Sequence, residues 1–176
     1  EQRLRSLVEG VPQLVWRATG VGKWTWASPQ WTRFTGQTEG DSHGLGWLEA
    51  VHPEDRPAAM VAWEHAAEQG GFEVAYRLRH IDGRYSWFNT RATPVRGRDG
   101  AIVEWLGTST DIHDLRELQE QQKVLVAELQ HRTRNLMAVV RSTADKTIRS
   151  STDLADFRAR FRERLDALAR VQGLLS

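Results

Sequence analysis

The chain of 176 residues contains no cysteine. Disulfides, thiol nucleophiles and cysteine-based metal sites are therefore excluded, and redox chemistry says nothing of compartment. No apolar run approaches the ~20 residues that a membrane helix needs, so neither a membrane span nor a signal peptide is expected in this piece. An excess of one charge is also lacking. The 24 basic and 23 acidic residues leave a formal net charge of +1, which gives no bulk electrostatic case for a nucleic-acid partner. Tryptophan is absent after Trp105, although the chain has eight. Glycine and proline are absent from residue 113 to residue 172. The last two absences begin at nearly the same place and divide the chain into two kinds of structure. The sequence opens without Met and stops just after Leu174-Leu175, so a piece of a longer protein is expected.

Before residue 113 the pattern is mixed. Residues 1–9 carry Leu4, Leu7 and Val8 at helical spacing, a short amphipathic helix stopped by Gly10 and Pro12. Residues 13–19 and 23–27 alternate in character, and Gly20 and Gly22 between them predict a hairpin. Ser28-Pro29 caps a short helix with Trp31 and Phe34 inside and Gly36 as its stop. Residues 38–46 are expected as a polar loop and 47–51 as an apolar turn. Pro53, Glu54 and Asp55 read as the first turn of a helix to about residue 69. Residues 72–80, 84–95 and 101–112 predict three more strands, with Asp82-Gly83 as a two-residue hairpin turn. The expected unit is α+β with one antiparallel sheet.

From residue 113 the period changes to heptads. Leu115, Leu118, Gln122, Leu125, Leu129, Arg132, Leu136, Val139 and Thr143 alternate spacings of three and four. This helix is expected to reach about residue 149, with a polar break at 150–152. Asp153 and Asp156 then cap a second helix, whose inner stripe is Phe157, Phe161, Leu165, Leu168 and Leu175. Two helices cannot bury such stripes alone, so a homodimeric four-helix bundle is expected.

His131 stands at the centre of the first of these helices. Glu128 lies three residues before it and Asn135 four after, so both share its helix face. A neutral imidazole can attack phosphorus if one ring nitrogen is free and the other is held. A carboxylate at i−3 can hold that ring proton, which makes Glu128 the candidate orienting or deprotonating group. Arg132 and Arg134 can steady phosphoryl charge or meet a partner's acids. Spacing alone leaves open an ordinary surface histidine with solvated neighbours. Arg158, Arg160, Arg162 and Arg164 read as a solvated face.

The run Glu128-Leu129-x-His131-Arg132-x-Arg134-Asn135, followed by Leu136-Met137-Ala138-Val139-Val140 and by residues 164–170, resembles the phosphoacceptor region of sensor histidine kinases of the HWE type. Arg132 directly after the histidine, where the commoner class has an acid, points to that branch. Where many members carry His or Asp before the terminal Leu-Leu, this chain has Gln172-Gly173. The earlier region resembles a PAS domain, through Trp31-x-x-Phe34-Thr35-Gly36, Trp47, Val51-His52-Pro53-Glu54-Asp55, Tyr76-x-Leu78, Asp82-Gly83-Arg84-Tyr85-x-Trp87 and the closing Asp111-Ile112.

These resemblances imply a five-stranded antiparallel sheet in the order 2-1-5-4-3 with helices on one face, then a helical hairpin that forms a dimeric four-helix bundle. The implied division is a PAS sensor over 1–112 with its short N-terminal helix, a coiled-coil signalling linker over 113–125, and a dimerisation and histidine-phosphotransfer hairpin over 126–176. The implied activity is protein-histidine kinase: the ATP γ-phosphoryl group passes to His131 and then to an aspartate of a response-regulator receiver domain. Asn135 would place a water when the partner is dephosphorylated. ATP and Mg²⁺ belong to a separate catalytic domain whose motifs do not occur in this sequence, so the stretch is not self-sufficient and carries no cofactor of its own. A cytoplasmic location follows from the same resemblance.

For the sensor, a flavin adduct requires a cysteine and is excluded. A haem needs an axial ligand, and His65, the best placed, is not at the family's ligand position. Trp31, Trp47, Trp87 and Trp105 are candidates to line a ligand pocket, although filling the core is the favoured reading of the tryptophans. His52 reads as structural. No His/Asp/Glu set has metal-ligand spacing. The alternative function is a non-catalytic PAS and coiled-coil module that dimerises and binds ligand, with His131 inert.

Overall fold

The computed structural model describes residues 13–171 and 173. The helix expected over residues 1–9 and the stripe position Leu175 lie outside them. The chain divides into two compact units between Glu117 and Leu118.

The first unit is built on one sheet. Its strands are β1 (Leu14–Thr19), β2 (Lys23–Ala27), β3 (Phe72–Arg79), β4 (Tyr85–Arg96) and β5 (Ile102–Asp111). They pair antiparallel throughout in the expected order β2-β1-β5-β4-β3. Helices α1 (Pro29–Thr35), α2 (Glu39–Ser42) and α3 (Arg56–Gln69) accompany it. Local signals explain the boundaries. Ser28 and Pro29 open α1, and Gly36 closes it at φ 72° with its N–H returned to the Thr32 carbonyl.

The core between sheet and helices is mainly aromatic. Trp16, Trp24, Trp31, Trp47, Trp63 and Trp105 are buried with Phe72, Tyr76 and Phe88. Trp24 stacks on Trp16 at 4.8 Å and on Trp47 at 5.4 Å, and meets Trp31 edge-on at 4.7 Å. Trp63 of α3 stacks on Phe72 at 4.2 Å and meets Trp16 and Trp105 edge-on at 5.8 and 5.5 Å. Among the described residues three of the six buried indole N–H groups find acceptors, whereas those of Trp24 and Trp63 are buried without one. Trp47 donates to the Gly22 carbonyl at 2.8 Å, Trp31 to Gln37 at 3.0 Å and Trp16 to Ser109 at 3.2 Å. Ser109 also accepts from Thr90 at 2.9 Å. Burial pushes the Tyr76 phenol up to about 12 against the opposing pull of these two hydroxyls.

Three sequence expectations differ from the structure. Residues 38–46 are not all loop: the Thr38 hydroxyl accepts the Asp41 N–H at 3.1 Å and starts the single turn α2. Asp82-Gly83 is not a two-residue turn. His80 N–H reaches the Arg84 carbonyl at 2.7 Å across a three-residue loop, with Gly83 at φ 89°. The Ile81 N–H is taken by the Phe34 carbonyl at 2.7 Å, so a tertiary contact selects the longer loop. Residues 53–55 form a separate 3-10 turn before α3, and their acids do not serve that helix.

Glu54 and Asp55 instead hold Arg77 on β3. Asp55 accepts from the Arg77 backbone N–H, Nε and Nη2 at 2.9, 2.8 and 2.8 Å, and Glu54 from Nη2 at 2.9 Å. These bonds, foremost the side-chain ones, hold the Asp55 carboxyl below its ordinary value. A carboxyl depressed in the folded state contributes stability above its unfolded pKa and loses it as pH falls through the folded value. Asp55→Asn should therefore lower the urea midpoint at pH 7 and shrink its drop between pH 7 and pH 3. An unchanged pH difference would show that the Arg77 bonds do not couple to folding.

The second unit follows the heptad pattern. Helix α4 (His113–Ser150) begins in the first unit and continues into the second, where α5 (Leu154–Val171) follows. At the turn Asp153 accepts the Asp156 N–H at 2.9 Å, and Asp156 accepts the Thr152 N–H at 3.1 Å. The two acids cap the helix as expected from the sequence, with Asp156 reaching back one residue beyond the N-cap. Arg164 of α5 donates to buried Thr147 of α4 at 2.9 Å, which closes the hairpin. Leu136, Val140, Phe161, Leu165 and Leu168 are half-buried. Leu118, Leu125, Leu129 and Val139 of the long stripe remain exposed. No helix among the described residues is long and apolar enough to cross a membrane.

Candidate functional site

α4 runs through His131 as unbroken helix, in keeping with the absence of glycine and proline, and the imidazole is exposed. Its neighbours are placed by helix spacing. The Asn135 side-chain amide lies 3.5 Å from His131 Nδ1. Glu128 does not touch the ring; its carboxylate accepts from Arg132 one turn later. The orienting role expected of Glu128 is thus not seen as a contact in this structure. A carboxylate with its arginine at i+4 forms a favoured helix pair, and a guanidinium is charged at every relevant pH whereas an imidazole is not. The group beside Nδ1 is thus an amide rather than an acid. The amide nitrogen is the atom placed at Nδ1; turned over about its own axis, the amide would instead present its oxygen, accept the Nδ1 proton and leave the Nε2 lone pair for attack.

Arg134 has no ion pair among the described residues and borders a shallow groove of about 390 Å³ with Val126, Leu129, Gln130 and Thr133. This guanidinium lies one turn from His131 on the same helix. Among the described residues no cluster of His, Asp or Glu is set to hold a metal.

The four tryptophans proposed for a pocket do not stand together. Trp31, Trp47 and Trp105 are packed in the core. Trp87 alternates with buried Phe88 and so lies on the other face of the sheet, 4.0 Å from the Arg116 guanidinium and 5.2 Å from that of Arg77. Grouping these residues by type ignored the period of two along β4. His65 is exposed on α3, its Nδ1 2.9 Å from the Val61 carbonyl. His52 Nδ1 accepts the Glu54 N–H at 3.3 Å, and its ring packs on Tyr85 at 4.6 Å. Sequence reasoning missed the Trp87–Arg116 and Thr147–Arg164 contacts, and Arg164, expected on a solvated face, instead turns to Thr147.

Comparison with known proteins bears on both units. Residues 24–109 match the PAS fold family, and residues 128–176 match the HWE histidine kinase family. The uncharacterized protein y4lL of Sinorhizobium fredii is 37% identical over 120 residues, 68% of this chain and 14% of its own length. The peroxide stress-activated histidine kinase mak1 of Schizosaccharomyces pombe is 33% identical over 147 residues, 78% of this chain and 9% of that protein. The blue-light-activated histidine kinase of Brucella anthropi is 30% identical over 129 residues, 73% of this chain and 26% of that protein. The chain thus spans between 9% and 26% of the length of these relatives. The crystal structure of a sensory box histidine kinase/response regulator from Burkholderia thailandensis superposes with a TM-score of 0.55 at 22% identity, covering 73% of this chain and 98% of that one. At that identity the likeness shows the fold alone. Strands β3 and β4 and most of β2 and β5 fall in the first matched segment and His131 in the second, so the chain is a PAS domain followed by the histidine-bearing region of the HWE histidine kinase family.

Proposed function

We propose that the chain is the sensor and phosphoacceptor part of a cytoplasmic histidine kinase, in which His131 receives the γ-phosphoryl group of ATP and passes it to a receiver-domain aspartate. The observation that carries this reading is the exposed His131 imidazole within the HWE-matched helix, with an amide at Nδ1. Nε2 attacks the γ-phosphorus, the bond to the bridging oxygen breaks, and ADP leaves. With the Asn135 amide turned over, its oxygen holds the Nδ1 proton while the ring is cationic. An aspartate oxygen of the partner then attacks the same phosphorus, the N–P bond breaks, and neutral imidazole returns. Arg134 meets the phosphoryl charge, and Asn135 also places a water for dephosphorylation of the partner. ATP and Mg²⁺ are bound by a domain outside this stretch. The blue-light input named for the Brucella relative cannot run here through a flavin–cysteine adduct, because the chain has no thiol.

The test supplies the ATP-binding domain of an HWE kinase in trans with labelled ATP and maps the label by mass spectrometry. Acid-labile, base-stable phosphate on His131 is expected. No label on this chain would favour the non-catalytic assembly module.

Assembly is a second expectation. Exposed Leu118, Leu125, Leu129 and Val139 form an apolar seam that a second copy would cover. Light scattering at micromolar concentration should give the mass of a dimer. A monomer that keeps full helicity would rule out the four-helix bundle.

A further inference from the structure

We propose that Trp87 is a latch that fastens the first turn of α4 to the outer face of the sheet and couples it to the start of α3. Two independent ties meet at this residue. Its backbone carbonyl accepts the Ile112 N–H at 2.9 Å, at the point where β5 gives way to α4. Its ring carries the Arg116 guanidinium at 4.0 Å, near enough for a face-on cation–π contact. Asp111 adds a cap, its carboxylate accepting the His113 N–H at 2.9 Å. The first turn of α4 therefore belongs with the sheet, in agreement with the division after Glu117.

The same ring faces a second cation. Arg77 lies opposite Trp87 in the β3–β4 register, with its guanidinium 5.2 Å from the ring centroid. Arg77 is not free to move, since Asp55 and Glu54 hold it by four hydrogen bonds. Those acids lie in the turn that opens α3, and α3 carries Trp63 into the indole core. A shift of α3 on rearrangement of the core would thus reach Arg77, then the Trp87 ring, then Arg116. The latch is a discrete contact, held or released, which is the kind of element on which coupling between sites depends. Its position on the solvent side of the sheet explains why Trp87 is aromatic without belonging to the core.

Hydrogen exchange on the intact protein tests the latch without any phosphorylation, so its outcome is separate from that of the kinase reading. Arg116→Ala alters an exposed side chain and leaves the sheet intact. It should speed exchange of the amides over residues 113–117 by roughly two- to fivefold, the factor that one cation–π contact permits. Trp87→Ala should do the same, and the double variant should exceed neither single one. Arg116→Lys, which keeps charge but not planar stacking, should fall between. Asp55→Asn should also speed these amides, although it lies far along the chain. Unchanged exchange in Arg116→Ala, or additive effects of the two single variants, would overturn the latch. A normal rate in Asp55→Asn would overturn the coupling to α3.

Discussion

His131→Gln is expected to take no phosphate from an ATP-binding domain that labels the unaltered chain fully. The effect is all or nothing because the product is an N–P bond to a ring nitrogen, and a primary amide nitrogen, its lone pair delocalised, does not attack phosphorus. The fold should not respond. The residue is exposed on a 38-residue helix, and Gln is at least as good a helix former as His. Helical ellipticity and dimer mass should therefore match the unaltered chain while labelling falls to background. Loss of helicity would make the experiment a folding result, and His131→Ala, with the strongest helix former at the same position, would then serve as the second variant. Label retained on His131→Gln would place the acceptor elsewhere and end the proposed mechanism.

Gly107→Ala is expected to destabilise the first unit by about 1–3 kcal/mol. Gly107 pairs with Trp16 across β1 and β5, and the Trp16 indole lies flat over it. A β-carbon there would overlap the Trp16 indole, far inside contact distance. The ring cannot retreat, because Trp24 and Trp63 close its other sides at 4.8 and 5.8 Å. Overpacking of a close-packed core costs about 1–3 kcal/mol. For a domain of about 100 residues each kcal/mol moves the melting temperature by roughly 4–8 °C. A drop of about 10 °C in tryptophan-monitored melting is the central expectation. Gly40→Ala is the control, since open space surrounds that position, and it should melt within a degree or two of the unaltered protein. Equal melting of the two variants would mean that the sheet yields at Gly107 and that the indole cluster is loosely packed.

How far the sequence predicts these features depends on their range along the chain. β2 is read to the residue, because Lys23 to Ala27 alternates cleanly and glycines stand before it. α1 is read with both ends, since Ser28, Pro29 and Gly36 are local signals. The turn after β3 fails because Ile81 is held by Phe34, and no local pattern shows that bond. Glu54 and Asp55 look like helix-start acids until Arg77, 22 residues after Asp55, claims them. At the histidine, helix geometry names the right neighbours but does not choose among them. Glu128 can reach either His131 or Arg132 by spacing, and the permanent charge decides. Trp87 shows the converse error: its alternation with Phe88 was visible, yet the idea of a common pocket placed it with residues on the other face.

The six buried indoles touch in an unbroken series, from Trp31 and Trp47 through Trp24, Trp16 and Trp63 to Trp105. Every tryptophan of the chain lies in the first unit, and both long helices of the second lack the residue. Tryptophan emission therefore observes the first unit alone, and tryptophan bands of the near-ultraviolet dichroism do the same, while far-ultraviolet dichroism is dominated by α4 and α5. The two units can be melted in one cuvette and followed as separate transitions without a dye. A molecule entering the sensor core must part at least one neighbouring pair of rings. Stacked chromophores couple their transitions, so that parting would alter the dichroic spectrum directly, and the protein carries its own optical gauge of occupancy.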